Sequence, residues 1–185
     1  MGVYRKVRIA KCLEVTGRRP IATRWIDINK GDSQAPKYRS RLVAKEFNDC
    51  KKPELFAATP PGEGLKLLLS KLAQSGGRKK LIYADVSRAY FYAPAVRPVY
   101  GIIPEEDREP GDPPEICGEL AYSMYGTRDA AQNWSEEYSV CLTKAGYIRG
   151  IANPCLFRHA TRDVSLTVHG DDFVGVGSEK YLQDI

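Results

Sequence analysis

The chain has 185 residues, of which 43% are hydrophobic and 28% are charged, so it has the length of one globular domain or of one domain with a small appended lobe. No run approaches the roughly 18 uninterrupted apolar residues that a membrane span requires. Gly and Pro occur in ordinary numbers. Transmembrane, fibrous and fully disordered classes are therefore excluded, and no membrane partner is expected.

The cysteines are odd in number, widely spaced and never arranged as CxxC: Cys12, Cys50, Cys117, Cys141 and Cys155. This pattern fits neither a disulfide framework nor a zinc knuckle, and it indicates a reducing compartment. The N-terminal residues carry no apolar secretory segment, and Lys6 stands where a myristoylation signal has Ser or Thr. We therefore expect a protein that is not secreted.

The formal net charge is +5, and it is unevenly distributed. Residues 1–52 hold 14 Lys and Arg against 5 Asp and Glu, whereas residues 53–185 hold 14 against 18. A basic front half suits a phosphate-binding surface, because Lys and Arg displace counterions from a nucleic-acid backbone. A solubilising charged face is the alternative, and the charge pattern by itself favours that alternative.

Local patterns predict the elements of the first half of the chain. Strand-like runs at residues 21–29 and 38–47 flank a Gly/Asp/Ser/Pro turn region and predict a hairpin with a basic second arm. After the break at residues 60–62, apolar residues at helical spacing over 65–73 predict an amphipathic core helix that ends at residues 75–77. The apolar run at 81–86 predicts a buried strand.

The second half of the chain carries further patterns. Residues 98–104 predict a short strand, and residues 104–119, with seven acids, one base and four prolines, predict an exposed acidic loop. Helical spacing over 129–145 predicts a helix, with Thr127 as its N-cap and Gly146 as its stop. Alternation over 164–168 and the run 173–176 predict a second hairpin with two carboxylates at its tip.

Three carboxylates thus lie at predicted strand ends: Asp85, Asp171 and Asp172. If the two strands are neighbours in one sheet, these oxygens converge, and converging carboxylates gain most when Mg²⁺ neutralises them. Two such ions about 3.5–4 Å apart are the usual arrangement for in-line nucleotidyl transfer. An isolated Gly-Asp-Asp is more often a solvated turn, so the surrounding motifs must decide between the two interpretations.

Five segments follow one another along the chain: Trp25 with KYRSRLVAK at 37–45, residues 55–57 with the helix at 65–73, DVSRAYF at 85–91, SMYGTRDAAQNW at 123–134, and residues 155–157 before VHGDD at 168–172. In this order they resemble the reverse transcriptase of copia-type LTR retrotransposons. The resemblance covers about residues 21–178. Five ordered motifs are far more specific than any one of them.

The resemblance implies an α+β fold, in which a polymerase palm has an antiparallel sheet backed by helices in a ferredoxin-like βαββαβ layout, joined by a β-rich fingers hairpin. Residues 1–20 would be an N-terminal extension, 21–80 the basic fingers hairpin and helix, 81–178 the palm, and 179–185 the start of the next region. Because only 13 residues follow Asp172, the thumb, primer grip and ribonuclease H regions are expected outside these residues. The protease and integrase regions are expected there too.

The resemblance also implies the catalytic and metal-binding residues. Asp85 and Asp171 would each bind both of two Mg²⁺ or Mn²⁺ ions, one ion lowering the pKa of the primer 3′-hydroxyl and the other holding the triphosphate. Asp172 would complete the acidic cluster in a more peripheral role.

A second implied set binds the incoming dNTP: Val86, Tyr90, Arg39, Arg41 and Lys45. Tyr90 would lie under the sugar and reject a ribose 2′-hydroxyl, although core packing beside Phe91 is the simpler interpretation of that residue by itself. The three cations share one parity of a strand, so that one face carries them. Cationic groups suit an anionic leaving group in a closing site.

A third implied set contacts template or primer: Tyr125, Gly126, Arg128, His169 and Gly170. Glycine at 126 would let the backbone approach the nascent base pair closely. The chain departs from the family at two places. His169-Gly170 stand where the family usually has Tyr-Val, and Asp129 and Ala131 stand where it usually has Gln and Pro.

The motif order predicts the core of an RNA-directed DNA polymerase that transfers a nucleotide from a dNTP to a primer 3′-hydroxyl. Its partners would be an RNA or DNA template with primer and the remainder of a Pol polyprotein, in a cytoplasmic virus-like particle or in the nucleus. One alternative is a catalytically inactive retrotransposon-derived remnant that binds nucleic acid through its basic fingers. Another is an unrelated small α/β protein with surface acids, which the motif order disfavours.

Overall fold

The computed structural model describes residues 2–47, 55 and 57–183. Cys50 and Phe56, which belong to patterns discussed above, lie outside the described residues. The chain divides into two compact units. The first unit combines Met1–Leu55 with Tyr90–Asn133, and the second unit combines Phe56–Ala89 with Trp134–Ile185. The division of the chain into fingers and palm at residue 80 stays a prediction.

The helices are α1 (Ile9–Thr16), α2 (Gly62–Ala73), α3 (Ala130–Lys144) and α4 (Glu179–Leu182). The strands are β1 (Tyr4–Arg8), β2 (Thr23–Asn29), β3 (Tyr38–Ala44), β4 (Lys80–Asp85), β5 (Tyr100–Gly101), β6 (Ile116–Leu120), β7 (Tyr147–Arg149), β8 (Leu156–His159), β9 (Ser165–His169) and β10 (Asp172–Gly177). Short 3₁₀ turns occupy Ala89–Tyr92 and Glu105–Asp107. Within the described ranges, no helix has both the length and the apolar character to cross a membrane.

The second unit is built on a five-stranded antiparallel sheet in the order β4-β10-β9-β8-β7. The βαββαβ layout of the palm stays a prediction: after β4 the chain passes through β5 and β6 of the first unit, and α3 and a meander of four strands follow. The connections within residues 147–177 are too short for a helical crossover, so each strand pairs with its neighbour in sequence. The predicted hairpin at 164–176 is confirmed as β9 and β10.

Aromatic residues build one face of this sheet. Phe173 and Phe157 alternate inward, and Trp134 and Tyr138 of α3 contact them with ring centroids 5.7–6.4 Å apart. Phe157 and Trp134 are 2% and 6% exposed. Edge-to-face aromatic contacts of this kind add specific geometry to the burial of large apolar surfaces. The predicted helix at 129–145 is confirmed as α3, and Gly146, at φ 92°, ends it as expected. Thr127 is not its cap, because α3 begins at Ala130 and the N-cap position is therefore residue 129. The Thr127 hydroxyl donates to the Met124 carbonyl oxygen.

Helix α2 contacts the β9 and β10 strands of the same sheet. The helix that the amphipathic pattern predicted is confirmed. The prediction that this helix belongs to the core is only partly right. Leu68 is buried, whereas Leu65, Leu67 and Leu69 remain 42–54% exposed. Strand β4 likewise differs from the buried strand that was predicted. It lies at the edge of the sheet, and Tyr83 on it is 61% exposed, because an edge strand has a neighbour on one side only.

In the first unit, β2 and β3 form a two-stranded hairpin whose register runs from Thr23 opposite Ala44 to Asn29 opposite Tyr38. The predicted hairpin is therefore confirmed. Two side chains organise its loop. Asn29 accepts the backbone N–H groups of Gly31 and Lys37, and Asp32 accepts those of Gln34 and Ala35. The hydrogen bonds from the Ala35 and Gln34 backbone amides lower the pKa of Asp32.

The three-stranded sheet of the first unit has the order β1-β6-β5. Strand β1 and helix α1 fall within residues 1–20, where the sequence patterns predicted no element. The acidic segment also needs correction, because residues 116–120 form the mostly buried central strand β6 rather than an exposed loop. Its carboxylate Glu119 binds Arg5 at 2.5 Å and Lys11 at 2.9 Å. These partners come from residues 1–20, which local patterns had left unassigned.

Candidate active site

The three predicted carboxylates all belong to the second unit and lie at one end of its sheet. Strands β4 and β10 are neighbours, and their register places Asp172 directly opposite Asp85. The backbone N–H of Val86 donates to the carbonyl oxygen of Asp171 at 2.9 Å, which ties the end of β4 to the hairpin tip. Asp85 is exposed, and Asp171 and Asp172 are half-buried. Directly opposed like charges repel, so this arrangement favours a cationic partner.

The hairpin tip is a two-residue turn between β9 and β10. Gly170 supplies the positive φ of 63° that the first position of a tight hairpin turn requires. The indole Nε1–H of Trp134 donates to the Gly170 carbonyl oxygen at 2.7 Å, so helix α3 holds the turn that carries Asp171. His169 is exposed and stands opposite Asp172 in the ladder. No pattern in the sequence indicated this hydrogen bond, because Trp134 was an apolar position of the predicted helix and the last residue of the 123–134 motif.

Tyr83 is a second residue of the site that no motif had singled out. Its hydroxyl donates to Oδ1 of Asp172. That hydrogen bond raises the pKa of Tyr83, with smaller contributions from desolvation and from the charges of Asp172, Asp85 and Asp171. Tyr83 precedes Asp85 by two residues, so the two side chains share one face of β4. That spacing was the available signal in the sequence.

The donor set fits a hard divalent cation in its chemistry, because all three groups supply carboxylate oxygens. Across the part of the chain that the structure describes, however, no three acidic, His or Cys side chains stand together as a formed metal site. Asp172 is engaged by the Tyr83 hydroxyl instead. The strands therefore bring the carboxylates to one end of the sheet, and the side chains have to turn toward one another to hold an ion.

A cavity of about 290 Å³ adjoins Asp172, and the N-terminal end of α2 borders it. Its polar lining includes Tyr83, Thr167, His169 and Asp172, and its apolar lining includes Leu65. Thr167 is 5% exposed, and among the described residues its hydroxyl oxygen has no hydrogen-bond partner. Space for a ligand therefore exists beside the acidic end of the sheet.

The predicted nucleotide-binding side chains other than Val86 lie in the first unit. The Tyr90 ring contacts Tyr125 with centroids 4.6 Å apart, and the Phe91 ring contacts Tyr125 from its edge at 5.7 Å. The guanidinium carbon of Arg41 lies 5.6 Å from the Tyr125 ring centroid, in cation–π geometry. Tyr125 is thus the centre of an aromatic and cationic cluster that combines residues from two predicted sets.

The other two predicted cations are placed differently. Arg39 shares the face of β3 with Arg41 and is half-buried opposite Ile28. Lys45 lies just beyond the end of β3, where its backbone N–H donates to the Ala22 carbonyl oxygen, and it is exposed. The prediction that the cations share one face of a strand therefore holds for Arg39 and Arg41, which both lie on β3.

Gly126 lies where two backbone segments come very close. Its φ is 86°, and a Cβ atom there would be 2.0 Å from the carbonyl oxygen of Ala44. The Ala44 N–H donates to the Tyr125 carbonyl oxygen at 2.8 Å, and the Arg128 N–H donates to the Glu46 carboxylate at 2.8 Å. The turn that carries Tyr125, Gly126 and Arg128 is therefore held against the end of β3.

Arg97 binds Glu46 at 2.6 Å and Asp129 at 2.9 Å, and no pattern in the sequence had indicated its importance. Asp129 is 3% exposed and also accepts a hydrogen bond from Asn133. The acid that replaces the family's usual Gln is therefore buried in an ion pair.

Comparison with known proteins agrees with the motif order. The model of a family described as reverse transcriptase (RNA-dependent DNA polymerase) matches residues 4–185. The retrovirus-related Pol polyprotein from transposon TNT 1-94 of Nicotiana tabacum is 25% identical over 189 aligned residues, which cover 98% of this chain. The chain spans 14% of the length of that polyprotein. The chain belongs to the reverse transcriptase (RNA-dependent DNA polymerase) family, and its resemblance is to the reverse transcriptase of copia-type retrotransposons.

Proposed function

We propose that this chain is the core of an RNA-directed DNA polymerase and that its acidic sheet end transfers a nucleotide from a dNTP to a primer 3′-hydroxyl. The observation that carries the proposal is the β4–β10 register, which sets Asp172 opposite Asp85 and ties Val86 to Asp171. The family assignment gives this arrangement its chemical meaning.

Asp85 and Asp171 would hold two Mg²⁺ or Mn²⁺ ions, with Asp172 in a supporting role. When bound, such ions lower the pKa of the attacking hydroxyl and neutralise the triphosphate. The chain's own residues position the carboxylates. Trp134 holds the hairpin turn through Gly170, and Val86 ties β4 to that turn. These contacts fix the backbone that carries the carboxylates, and the side chains would then turn toward one another to hold the ions.

The remaining proposed roles concern nucleotide and template. Arg39, Arg41 and Lys45 would neutralise phosphate groups, because cationic donors form short hydrogen bonds with phosphate oxygens. Tyr90, supported by its ring contact with Tyr125, would exclude a ribose 2′-hydroxyl. The other template- or primer-contacting residues would be Gly126, Arg128, His169 and Gly170.

The test is primer extension on an RNA template with dNTPs and Mg²⁺ or Mn²⁺. We expect the parent chain to extend the primer and Asp171→Asn to abolish extension, because an amide cannot replace an anionic metal ligand. The matched control is Asp27→Asn, an exposed aspartate of the β2 strand, which should retain activity. Extension by Asp171→Asn at the parent rate would exclude the proposed site.

A second candidate is a retrotransposon-derived chain that binds nucleic acid without synthesis. The excess of Lys and Arg in residues 1–52 and the engagement of Asp172 by Tyr83 favour it. It predicts no extension by either protein and equal, salt-dependent template binding by both. The same pair of proteins therefore distinguishes the two functions.

A further inference from the structure

Two buried thiols meet in the first unit, where helix α1 contacts strand β6. Cys12 and Cys117 are 1% and 0% exposed, and both belong to one apolar cluster with Tyr100. Both are free cysteines. They lie far apart in the sequence, so no CxxC-type spacing indicates the pair.

Strand β1 passes directly into helix α1, and this connection brings Cys12 over the three-stranded sheet. In the β1–β6 pair, Val7 stands opposite Cys117. The N–H of Ile9 donates to the Glu115 carbonyl oxygen at 3.0 Å, and Cys12 follows Ile9 by about one helical turn. Helix α1 therefore begins beside β6 and packs against it.

The face of β6 that carries Cys117 is turned toward α1. Side chains alternate along a strand, so Cys117 and Glu119 share a face. The Glu119 carboxylate binds the Lys11 ammonium group of α1 at 2.9 Å and accepts a hydrogen bond from the Tyr100 hydroxyl at 3.1 Å. The elements that carry the two thiols are therefore held together by contacts other than the thiols.

The two thiols also contact each other. Burial raises the pKa of Cys117 to about 11, and the charge of Cys12 and a hydrogen bond with its thiol contribute to this rise. The Cys12 thiol itself donates to the Arg18 carbonyl oxygen at 3.3 Å. Because the thiolate is the reactive form, the protonated Cys117 is not the thiol that reacts first with an oxidant.

Cys12 is the thiol that a small oxidant can reach. It lines a second cavity of about 290 Å³, which is formed by residues of the first unit. Arg97 lines the same cavity, and its side chain is 36% exposed, so the cavity reaches solvent. Cys117 is not among the described residues that line it. A water-sized polar molecule such as hydrogen peroxide fits in a space of this volume.

We propose that Cys12 and Cys117 are a redox-sensitive pair, which hydrogen peroxide converts into a disulfide between α1 and β6. In the first step the Cys12 sulfur takes one oxygen of the peroxide and becomes a sulfenic acid, and one water molecule is released. In the second step the Cys117 sulfur attacks the Cys12 sulfur, the S–S bond forms, and the hydroxyl group leaves as a second water molecule.

The electrons and protons of these two steps balance. The two thiols lose two electrons and two protons, and the peroxide gains both and becomes two molecules of water. A thiol reductant reverses the change by thiol–disulfide exchange. The pair goes beyond the proposed polymerase chemistry, because its reaction needs neither metal ion nor nucleotide.

The experiment treats the full chain with a stoichiometric amount of hydrogen peroxide, alkylates the remaining thiols under denaturing conditions, and maps unreduced peptides by mass spectrometry. We expect a linked Cys12–Cys117 peptide pair that disappears after treatment with dithiothreitol. Cys155, which is buried in the second unit, is the internal reference and should be alkylated. Full alkylation of Cys12 and Cys117 at a dose that oxidises the exposed Cys141 would overturn the proposal. A disulfide from either residue to another cysteine would overturn it as well.

Two matched variants test the order of the steps. In Cys117→Ala the sulfenic acid of Cys12 has no resolving thiol, so dimedone should label Cys12 after peroxide treatment. In Cys12→Ala the remaining Cys117 should stay a thiol and should not be labelled. Circular dichroism checks that both variants fold, and the peptide map of the parent depends on neither of them. Labelling of Cys117 in Cys12→Ala, without labelling of Cys12 in Cys117→Ala, would overturn the assigned order.

The disulfide should also stabilise the protein, because it closes a loop of about 100 residues. We expect the thermal midpoint of the oxidised parent to lie at least about 5 °C above that of the reduced parent, with no such rise in Cys117→Ala. A lower midpoint in a fully linked sample would overturn the proposal, because it would mean that the bond forms only when the native contact is distorted. Asp171→Asn should form the disulfide like the parent, which separates this pair from the fate of the polymerase proposal.

Discussion

The two units of this protein are stabilised in different ways. In the second unit a five-stranded ladder carries the fold, and Trp134, Tyr138, Phe157 and Phe173 fill one face of it. In the first unit the sheets have two and three strands, their apolar clusters are small, as around Val99, Leu120 and Met124, and ion pairs supplement them. Glu119 with Arg5 and Arg97 with Glu46 are examples. The carboxylates therefore stand on one broad sheet with an aromatic face, whereas the cations stand on small sheets that combine smaller apolar clusters with ion pairs.

This difference has a physical basis in what each group requires. Opposed carboxylates repel one another and need a rigid backbone to hold them at one sheet end. Cationic side chains that contact phosphate are long, and they function from smaller elements provided that the backbone beneath them is ordered. Four substitutions test this contrast. The first removes apolar packing and the second fills the space beside a glycine. The third removes one ion pair of a strand, and the fourth removes one exposed hydrogen bond.

The largest effect is expected for Trp134→Ala in the second unit. Trp134 is 6% exposed, contacts Tyr138 and Phe173 and holds Gly170, so the truncation should lower the free energy of unfolding by about 3–5 kcal/mol. Chemical denaturation measures this change. The matched control is Trp25→Ala in the β2 strand, which is 45% exposed and should cost far less. Equal losses of unfolding free energy in Trp134→Ala and Trp25→Ala would contradict the conclusion that aromatic packing stabilises the second unit.

The next effect is expected for Gly126→Ala in the first unit. The new Cβ would meet the Ala44 carbonyl oxygen at 2.0 Å and would also impose a side chain at φ 86°, so a loss of about 3 kcal/mol is expected. Gly111→Ala is the control, because φ there is 103° but no atom lies within 4 Å of the added carbon. Denaturation of the two variants separates crowding from strain. A Gly111→Ala variant as unstable as Gly126→Ala would show that backbone strain by itself accounts for the loss.

A smaller and pH-dependent effect is expected for Glu119→Gln. The hydrogen bond from Arg5, supported by Lys11 and Tyr100, lowers the pKa of Glu119 to about 2. A carboxyl whose pKa is depressed on folding stabilises the protein above its ordinary pKa of 4.5, and this contribution disappears as the pH falls toward 2. At pH 7 the variant should therefore be less stable than the parent. The expected loss is only about 1–2 kcal/mol, because the Arg5 side chain is largely exposed and solvent screens its charge.

Denaturation of the parent and the variant between pH 7 and pH 2 measures this contribution as a difference, which cancels the titration of the other acids. The difference should narrow below pH 4.5. Glu115→Gln, which changes an exposed acid just before β6, serves as the control and should show no such narrowing. A parent-to-variant difference that stays constant over the whole range would mean that the ion pair is not what stabilises this sheet.

The smallest effect on stability is expected for Tyr83→Phe. The side chain is 61% exposed, so the thermal midpoint should move by no more than about 2 °C. Binding of Mn²⁺, measured by calorimetry, should tighten a few-fold, because Asp172 would no longer accept the phenol hydroxyl and would be available to the ion. Tyr92→Phe, an exposed tyrosine of the first unit, is the control. Unchanged or weaker Mn²⁺ binding would exclude competition between Tyr83 and the metal.

Much of the fold was predictable from local patterns. The β2–β3 hairpin, the β9–β10 hairpin and helix α3 arise from residue spacing and turn chemistry within short segments, and each was predicted near its observed position. Strand β6 was missed, because its acidic and proline-rich surroundings resemble a loop until β1 pairs with it and Arg5 neutralises Glu119. The exposure of α2 and β4 was missed for a related reason, since burial depends on what covers an element.

The candidate site likewise combines features that the sequence predicted with features that it did not predict. The positions of Asp85, Asp171 and Asp172 at strand ends followed from the sequence, and so did the hairpin that carries two of them. The hydrogen bond from Tyr83 to Asp172 joins residues 89 positions apart, and the ion pair of Arg97 with Glu46 joins residues 51 apart. No spacing rule predicts such pairs, because the meeting of the two groups depends on strand order and register.

The sequence by itself determined the family, the main elements and the identity of the acidic and basic groups. These follow from periodicity, turn residues and motif order, which are local properties of the chain. Only the tertiary structure decided that Asp172 stands opposite Asp85, that Tyr83 engages it, and that Cys12 of α1 meets Cys117 of β6. The physical reason is that side-chain contacts, burial and charge pairing depend on the register of distant segments, which is set by the packing of the whole unit.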